Sequence, residues 1–194
     1  MLGKREKLHI IVTVAVMVLI FVHSAMPGDM SGAESGFIVR WIAALTGLPA
    51  ESLSLIVRKG AHFTEFMVLG GCFVVNVRDW IKVHRANQSE HEGPDRVRED
   101  STESEQLNQA RVQRMNQPEH GRLNWRSLLM AWAMATAYAA TDEFHQLFVD
   151  GRAGAVLDVC IDAAGAAVGV LIVGLVLMRN RKESDTFNSV SPIR

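Results

Sequence analysis

Residues Thr141–Asp162 read TDEFHQLFVDGRAGAVLDVCID and connect two apolar runs, residues 127–140 and 163–178. The surrounding composition is that of membrane-spanning helix, in which charged side chains are costly and usually functional. The stretch therefore predicts a helical membrane protein and marks where its chemistry is expected. Its polar residues are Asp142, Glu143, His145, Gln146, Asp150, Arg152, Asp158 and Asp162.

The composition of the whole chain predicts one membrane domain over residues 1–194. Of the 194 residues, 48% are hydrophobic, and the net charge of −1 argues against a nucleic-acid partner. Residues 8–24, 60–78 and 155–178 are almost continuously apolar, which is typical of an integral membrane protein. Cys72 and Cys160 lie in apolar runs, and we expect both to be buried free thiols.

We predict an all-α bundle of four transmembrane helices, over about residues 8–24, 60–78, 127–149 and 155–178. The first run follows basic residues, as a signal peptide does, but His23 would stand three residues before a cut after Ala25, where a small side chain is expected. We therefore interpret it as a retained span. In the last span, Gly165 and Gly169 form a small-xxx-small face that allows close helix contact.

Two further segments are expected between the spans. Phe37, Ile38, Trp41, Ile42 and Leu45 recur at helical spacing. This pattern predicts a short helix that either lies at the membrane interface or packs on the bundle. Residues 82–124 are polar and lack apolar periodicity, so we expect a disordered or loosely helical cytoplasmic insert that is dispensable for folding.

Three predicted spans carry polar residues at one depth. The second contributes His62 and Glu65, the third Asp142–Gln146, and the fourth Asp158 and Asp162. Alternating span directions bring these positions to the outer side of the membrane, and helical spacing lets each group share a face. Asp142, His145 and Gln146 form one such face, while Glu143 is offset and can face a neighbouring helix.

The charges of this cluster do not balance. Five carboxylates stand against Lys59 and Arg152, which leaves −3 when His62 and His145 are neutral. Bound protons, protonated histidines, a metal ion or a cationic ligand group would offset the excess. Asp158 is expected to cap its helix or to pair with Arg152.

The motifs at these positions resemble the VanZ-like family of bacterial membrane proteins. They are HSAMPG at residues 23–28, RKGAHFTEF at 58–66 and TDEFHQLFVDGR at 141–152, followed by Asp158, Asp162 and Gly165. The resemblance implies a small multi-span protein of the cytoplasmic membrane, and some members are linked to low-level resistance to teicoplanin-type glycopeptides. The family often has Tyr near position 66, where this chain has Phe66, and the polar insert is not typical of it.

The favoured function is action at the outer leaflet on a lipid-linked or polyprenyl-phosphate-type cell-envelope substrate. A non-catalytic binding or protective factor and a proton- or cation-coupled transporter component are the alternatives, so the sequence leaves open whether the protein is an enzyme. The expected partners are membrane lipids and a lipid-linked cell-wall precursor. The candidate catalytic residues are His62, Glu65, Asp142 and Glu143, and the candidate substrate-binding residues are Lys59, His145, Gln146, Arg152, Asp158 and Asp162.

The cofactor and any metal requirement are not determined by the sequence. It lacks a standard zinc motif, a Ser-His-Asp motif and a Cys nucleophile motif. His62-x-x-Glu65 together with His145 is a candidate metal-ligand set, since imidazole and carboxylate both bind divalent metals.

The distribution of basic residues predicts that both termini are cytoplasmic. With that orientation, 16 of the 20 Lys and Arg residues lie inside. A cysteine placed at Asn188, in a chain whose own cysteines are replaced by serine, should therefore resist a membrane-impermeant thiol reagent in whole cells. Labelling of that cysteine from outside would contradict the topology.

Overall fold

The computed structural model describes residues 3–26, 36–91, 123–152 and 154–190, which form five α-helices and no strand. We number the helices in chain order. They are α1 (Lys4–Ser24), α2 (Gly36–Thr46), α3 (Ala50–His91), α4 (Trp125–Gln146) and α5 (Val156–Val190). The predicted all-helical class is confirmed.

Three of these helices are long and apolar enough to cross a membrane. They are α1, the part Ser52–Arg85 of α3, and the part Val156–Asn180 of α5. The predicted third span, α4, is not among these three helices. The structure thus supports three of the four predicted spans by length and composition.

The first helix runs antiparallel to α3. Near its start, His9 Nδ1 lies 2.6 Å from Asp79 Oδ2. Near its end, His23 Nδ1 lies 2.7 Å from Glu65 Oε1. Because partners from opposite ends of α3 meet the two ends of α1, the two helices have opposite directions. These contacts make α1 part of the bundle.

The fourth helix runs parallel to α1. The Tyr138 hydroxyl donates a 2.6 Å hydrogen bond to the carbonyl of Met17. About two turns further along α1 and about one turn further along α4, Ser24 Oγ donates to Asp142 Oδ2 at 2.7 Å. The ends of α1 and α4 therefore lie at the same end of the bundle.

Glycines bring α5 against α3 in the parallel direction. A Cβ on Gly165 would overlap the backbone carbonyl of Phe63, and a Cβ on Gly169 would overlap that of Met67. The predicted close contact through these two glycines is confirmed, and the partner is α3. Since α3 and α5 are parallel and both oppose α1 and α4, the starts of α3 and α5 lie beside the ends of the other two helices.

The core is built from large side chains of α3 and small ones of α4. Phe66 and Leu69 are fully buried, and they share the core with Ala131, Ala135 and Ala139, which recur every fourth residue along α4. The small alanine face lets α4 approach α3 closely. Many aliphatic side chains of α1 and α5 point outward, as lipid-facing side chains of a membrane bundle do.

Several predicted boundaries were wrong. The helix that contains the second predicted span, α3, begins at Ala50 rather than residue 60 and continues to His91. The first ten residues of the expected polar insert are therefore helical. Residues 92–122 of that insert lie outside the described part. The last helical residue of α4 is Gln146, and residues 147–149 form a turn. Both cysteines are free, but Cys160 is exposed, and Cys72 is only partly buried.

The short helix α2 packs on the bundle. Val39 of α2 and Leu53 of α3 are both buried, whereas Trp41 is 65% exposed. The helix therefore meets α3 with one face and presents its tryptophan outward, where an interfacial anchor would stand.

The glycine contact gives a matched stability test. Gly169→Ala should force α3 and α5 apart, because the obstructing atom is backbone, and should destabilise the bundle by about 1–3 kcal/mol. Gly60→Ala, where a Cβ meets nothing within 4 Å, should be neutral or slightly stabilising. Thermal unfolding in detergent measures both variants, and equal midpoints would contradict the packing.

Candidate functional site

Three helices meet around a polar cleft at one end of the bundle. The elements are the early part of α3, the end of α4 and the start of α5 with the turn before it. The cleft encloses about 390 Å³, including the part open to solvent. It is lined by seven of the predicted site residues, Lys59, His62, Glu143, Gln146, Arg152, Asp158 and Asp162, together with Arg58 and Ile161.

Two histidines and one glutamate form a compact group beside this cleft. His23 Nδ1 lies 2.7 Å from Glu65 Oε1, and His62 Nδ1 lies 3.9 Å from Glu65 Oε2. The two imidazole rings stack with centroids 5.5 Å apart and planes inclined by 10°. His62 is only 7% exposed, and within the described residues neither its Nδ1 nor Glu65 Oε2 has a hydrogen-bond partner.

The carboxylates of α4 are held by hydrogen bonds from three elements. Asp142 Oδ2 accepts from Ser24 Oγ at 2.7 Å and from Gln146 Nε2 at 3.1 Å. Glu143 accepts from the same amide at 3.1 Å, and its other oxygen accepts from the backbone N–H of Ala155 at 3.1 Å. Buried carboxylates are tolerated when hydrogen bonds satisfy them. These bonds fasten α4 to α1 and to the start of α5.

The two aspartates of α5 differ in their surroundings. Asp158 forms an ion pair with Lys59 of α3. The expected pairing of Asp158 with Arg152 is therefore wrong, because the parallel packing of α3 and α5 places the lysine closer. Asp162, one turn deeper, is 1% exposed, and its Oδ2 has no hydrogen-bond partner within the described residues.

Arg152 instead binds the end of α1. Its Nε donates to the carbonyl of Met26 at 2.9 Å and its Nη2 to the carbonyl of His23 at 3.0 Å, while Nη1 reaches Gln146 Oε1 at 3.3 Å. A helix ends with carbonyls that lack intrahelical partners, and a basic side chain there satisfies them and opposes the helix dipole. Arg152 thus fixes the backbone of the residue that carries the His23 imidazole.

Burial of the guanidinium lowers the pKa of Arg152 from its ordinary value, and the neighbouring charge of Arg58 lowers it further. Three carboxylates at this end of the bundle oppose the lowering. The group still carries its charge at neutral pH, since arginine is not deprotonated in proteins.

The preceding Gly151 has φ 73°, a left-handed conformation that favours glycine and lets the chain turn back toward α5.

His145 does not join the face on which the spacing placed it. Its ring packs against Phe21 with centroids 4.4 Å apart, and it does not line the cleft. In the described part of the chain, the group of at least three histidine, cysteine, aspartate or glutamate residues whose ligand atoms all lie within 4.8 Å of one another is His23, His62 and Glu65. The inclusion of His145 in the predicted metal-ligand set is therefore wrong.

Sequence reasoning missed two side chains of the site, His23 and Ser24. Both stand in the HSAMPG stretch at the end of α1. Their expected depth in the membrane was available as a signal. If the first span runs from inside to outside, its end lies at the same level as the other polar groups.

One comparison with known proteins finds a family. The family model described as VanZ/LLP1 matches residues 9–177, which include α3, α4 and most of α1 and of the membrane part of α5. No curated protein and no solved structure matches the chain significantly.

Replacing the guanidinium by an amine should weaken this end of the bundle. In Arg152→Lys, one ammonium cannot reproduce the two parallel bonds to the carbonyls of His23 and Met26, and we expect a loss of about 1–3 kcal/mol. Arg40→Lys is the control, because Arg40 donates to a carbonyl of its own exposed helix. If thermal unfolding gives both variants the same midpoint, the bonds of Arg152 do not stabilise the bundle.

Proposed function

The chain belongs to the VanZ/LLP1 family, and from this premise we propose that it acts at the outer leaflet of the bacterial cytoplasmic membrane on a cell-envelope substrate. The substrate class is a lipid-linked or polyprenyl-phosphate-type molecule. The associated phenotype is protection against teicoplanin-type glycopeptides. The observation that carries the proposal is the polar cleft at one end of an otherwise lipid-facing bundle.

The proposed topology has four spans and two cytoplasmic termini. In this topology α4 is also a span, the third in chain order. Its 22 residues extend about 33 Å at 1.5 Å per residue, close to the hydrocarbon thickness of a bilayer. The alternating helix directions fit that arrangement, and so does the excess of basic residues on the inner side. The cleft then opens toward the outer leaflet.

The cleft has the groups that a phosphate-bearing lipid would need. Arg58 and Lys59 stand side by side in α3 and line it, and cationic side chains are the usual partners of phosphate. Beside Asp158, the side chains of Val156 and Leu157 are 82% and 65% exposed. A polyprenyl chain would lie along this apolar surface while its phosphate reaches the cations.

The proposed acid–base chemistry centres on His62 and Glu65. Both have buried atoms without a hydrogen-bond partner among the described residues, and an imidazole or carboxylate in that state is available to accept a proton from substrate or water. Asp142 and Glu143 are assigned a positioning role, since Asp142 Oδ2 and both oxygens of Glu143 accept bonds from Ser24, Gln146 or Ala155.

A non-catalytic binding or protective factor is the second candidate function. It is favoured by the engagement of Asp142 and Glu143 in bonds that hold helices together, which leaves fewer groups for proton transfer. In this case the cleft would bind the envelope intermediate without converting it.

Binding of polyprenyl phosphate to the purified protein in nanodiscs tests the proposal. We expect Arg58→Gln and Lys59→Gln each to weaken binding by about tenfold, since a charge-assisted hydrogen bond contributes on the order of 1.5–3 kcal/mol. Arg40→Gln, which removes the same charge from α2 outside the cleft, is the matched control. Equal binding of polyprenol, which lacks the phosphate, would contradict the assigned substrate class.

Glu65→Gln separates the two candidate functions in the same system. An enzyme should keep polyprenyl phosphate binding but lose teicoplanin protection in cells, because the amide cannot accept the proton. Retention of protection by a variant with a normal membrane level would favour the non-catalytic factor.

A further inference from the structure

The group formed by His23, His62 and Glu65 has the composition of a metal site. Two imidazoles and one carboxylate, contributed by α1 and α3, place their ligand atoms within 4.8 Å of one another. In tetrahedral zinc sites with bonds of about 2.0–2.1 Å, ligand atoms stand roughly 3.3 Å apart. The contacts of 2.7 Å and 3.9 Å from the two histidines to Glu65 lie on either side of that spacing.

Unsatisfied atoms point to a ligand that is shared between α1 and α3. His62 Nδ1 and Glu65 Oε2 are buried and lack hydrogen-bond partners among the described residues. Leaving such an atom unpaired costs on the order of 1–3 kcal/mol. One cation between them would satisfy both atoms at once, and it would replace the shared proton of the His23–Glu65 contact.

The charge at this end of the bundle favours a divalent cation. Glu65, Asp142, Glu143, Asp158 and Asp162 stand against the three cationic side chains that line the cleft. With neutral imidazoles, which metal binding requires, the carboxyl groups outnumber the cations. A divalent ion reduces this excess of acidic groups.

We propose that His23, His62 and Glu65 bind one divalent transition-metal ion, and zinc is the ion that their donor atoms fit best. A two-histidine, one-glutamate set is a ligand set of catalytic zinc sites, in which the fourth position stays open for water or substrate. His62 lines the cleft, so the open position faces it. Arg152 holds the carbonyl of His23 and thereby fixes the position of this ligand.

This site does not require the proposed envelope substrate, but it shares His62 and Glu65 with the proposed acid–base chemistry. With an ion bound, these two side chains would act as ligands rather than as proton acceptors. The metal is tested without lipid substrate, so failure of polyprenyl phosphate binding leaves it unaffected. If both hold, an oxygen of the phosphate would be a fitting fourth ligand.

Metal titration of the full-length protein in detergent, after removal of bound metal with a chelator, tests the proposal. We expect about one Zn²⁺ per chain by calorimetry and by elemental mass spectrometry. His23→Gln, His62→Gln and Glu65→Gln should each lower the affinity by more than about tenfold, whereas His145→Gln should not change it. His145 is the matched control because it lies at the same depth but packs against Phe21. Failure of the unmodified protein to bind Zn²⁺ saturably, or an equal loss in the control, would overturn the site.

X-ray absorption of the zinc-loaded protein gives a second test that needs no variant. We expect nitrogen and oxygen ligands with the multiple scattering of two imidazoles. Sulfur ligation would place the ion at a cysteine and contradict the proposal, as would binding of Mg²⁺ or Ca²⁺ in preference to Zn²⁺, since those ions select oxygen ligands.

Discussion

Polar groups carried by apolar helices must find partners within the protein, because lipid offers none. Here several of the partners come from other helices. Ser24 of α1 donates to Asp142 of α4, and Lys59 of α3 pairs with Asp158 of α5. Each of these contacts also fixes the relative position of two helices. The arrangement of the bundle therefore depends on the need to satisfy these polar atoms.

Close packing makes these contacts reachable. The glycines of α5 let the helix rest directly on the backbone of α3, and the parallel direction brings the first turns of α5 beside the part of α3 that holds Lys59 and His62. The alanine face of α4 does the same against the aromatic and aliphatic core of α3. A bundle with larger side chains at these seams would hold the polar residues too far apart to bond.

The site combines rigid and unsatisfied parts. Arg152 and the carboxylates of α4 are bonded to backbone or to neighbouring side chains, so they hold the ends of the helices in place. His62, Glu65, Asp142 and Asp162 retain buried atoms without partners in the described residues. Such atoms raise the free energy of the folded protein unless a ligand satisfies them. The functional proposals rest on His62 and Glu65, because their unpaired atoms lie 3.9 Å apart.

The sequence by itself determined the helical membrane class, the family motifs and the depth of most polar residues. Local spacing is sufficient for these features, because the apolar period and the cost of charge in lipid depend on neighbours along one helix. It could not determine which residues pair between helices. The spacing of α4 placed His145 with Asp142, whereas the rotation of the packed helix turned it toward Phe21. For Asp158 the sequence left two alternatives, a helix cap or a pair with Arg152, and only the packing of α5 on α3 showed Lys59 as its partner. The inclusion of His23 likewise required the tertiary structure, because α1 and α3 are separated in sequence and their antiparallel contact alone brings this histidine to Glu65.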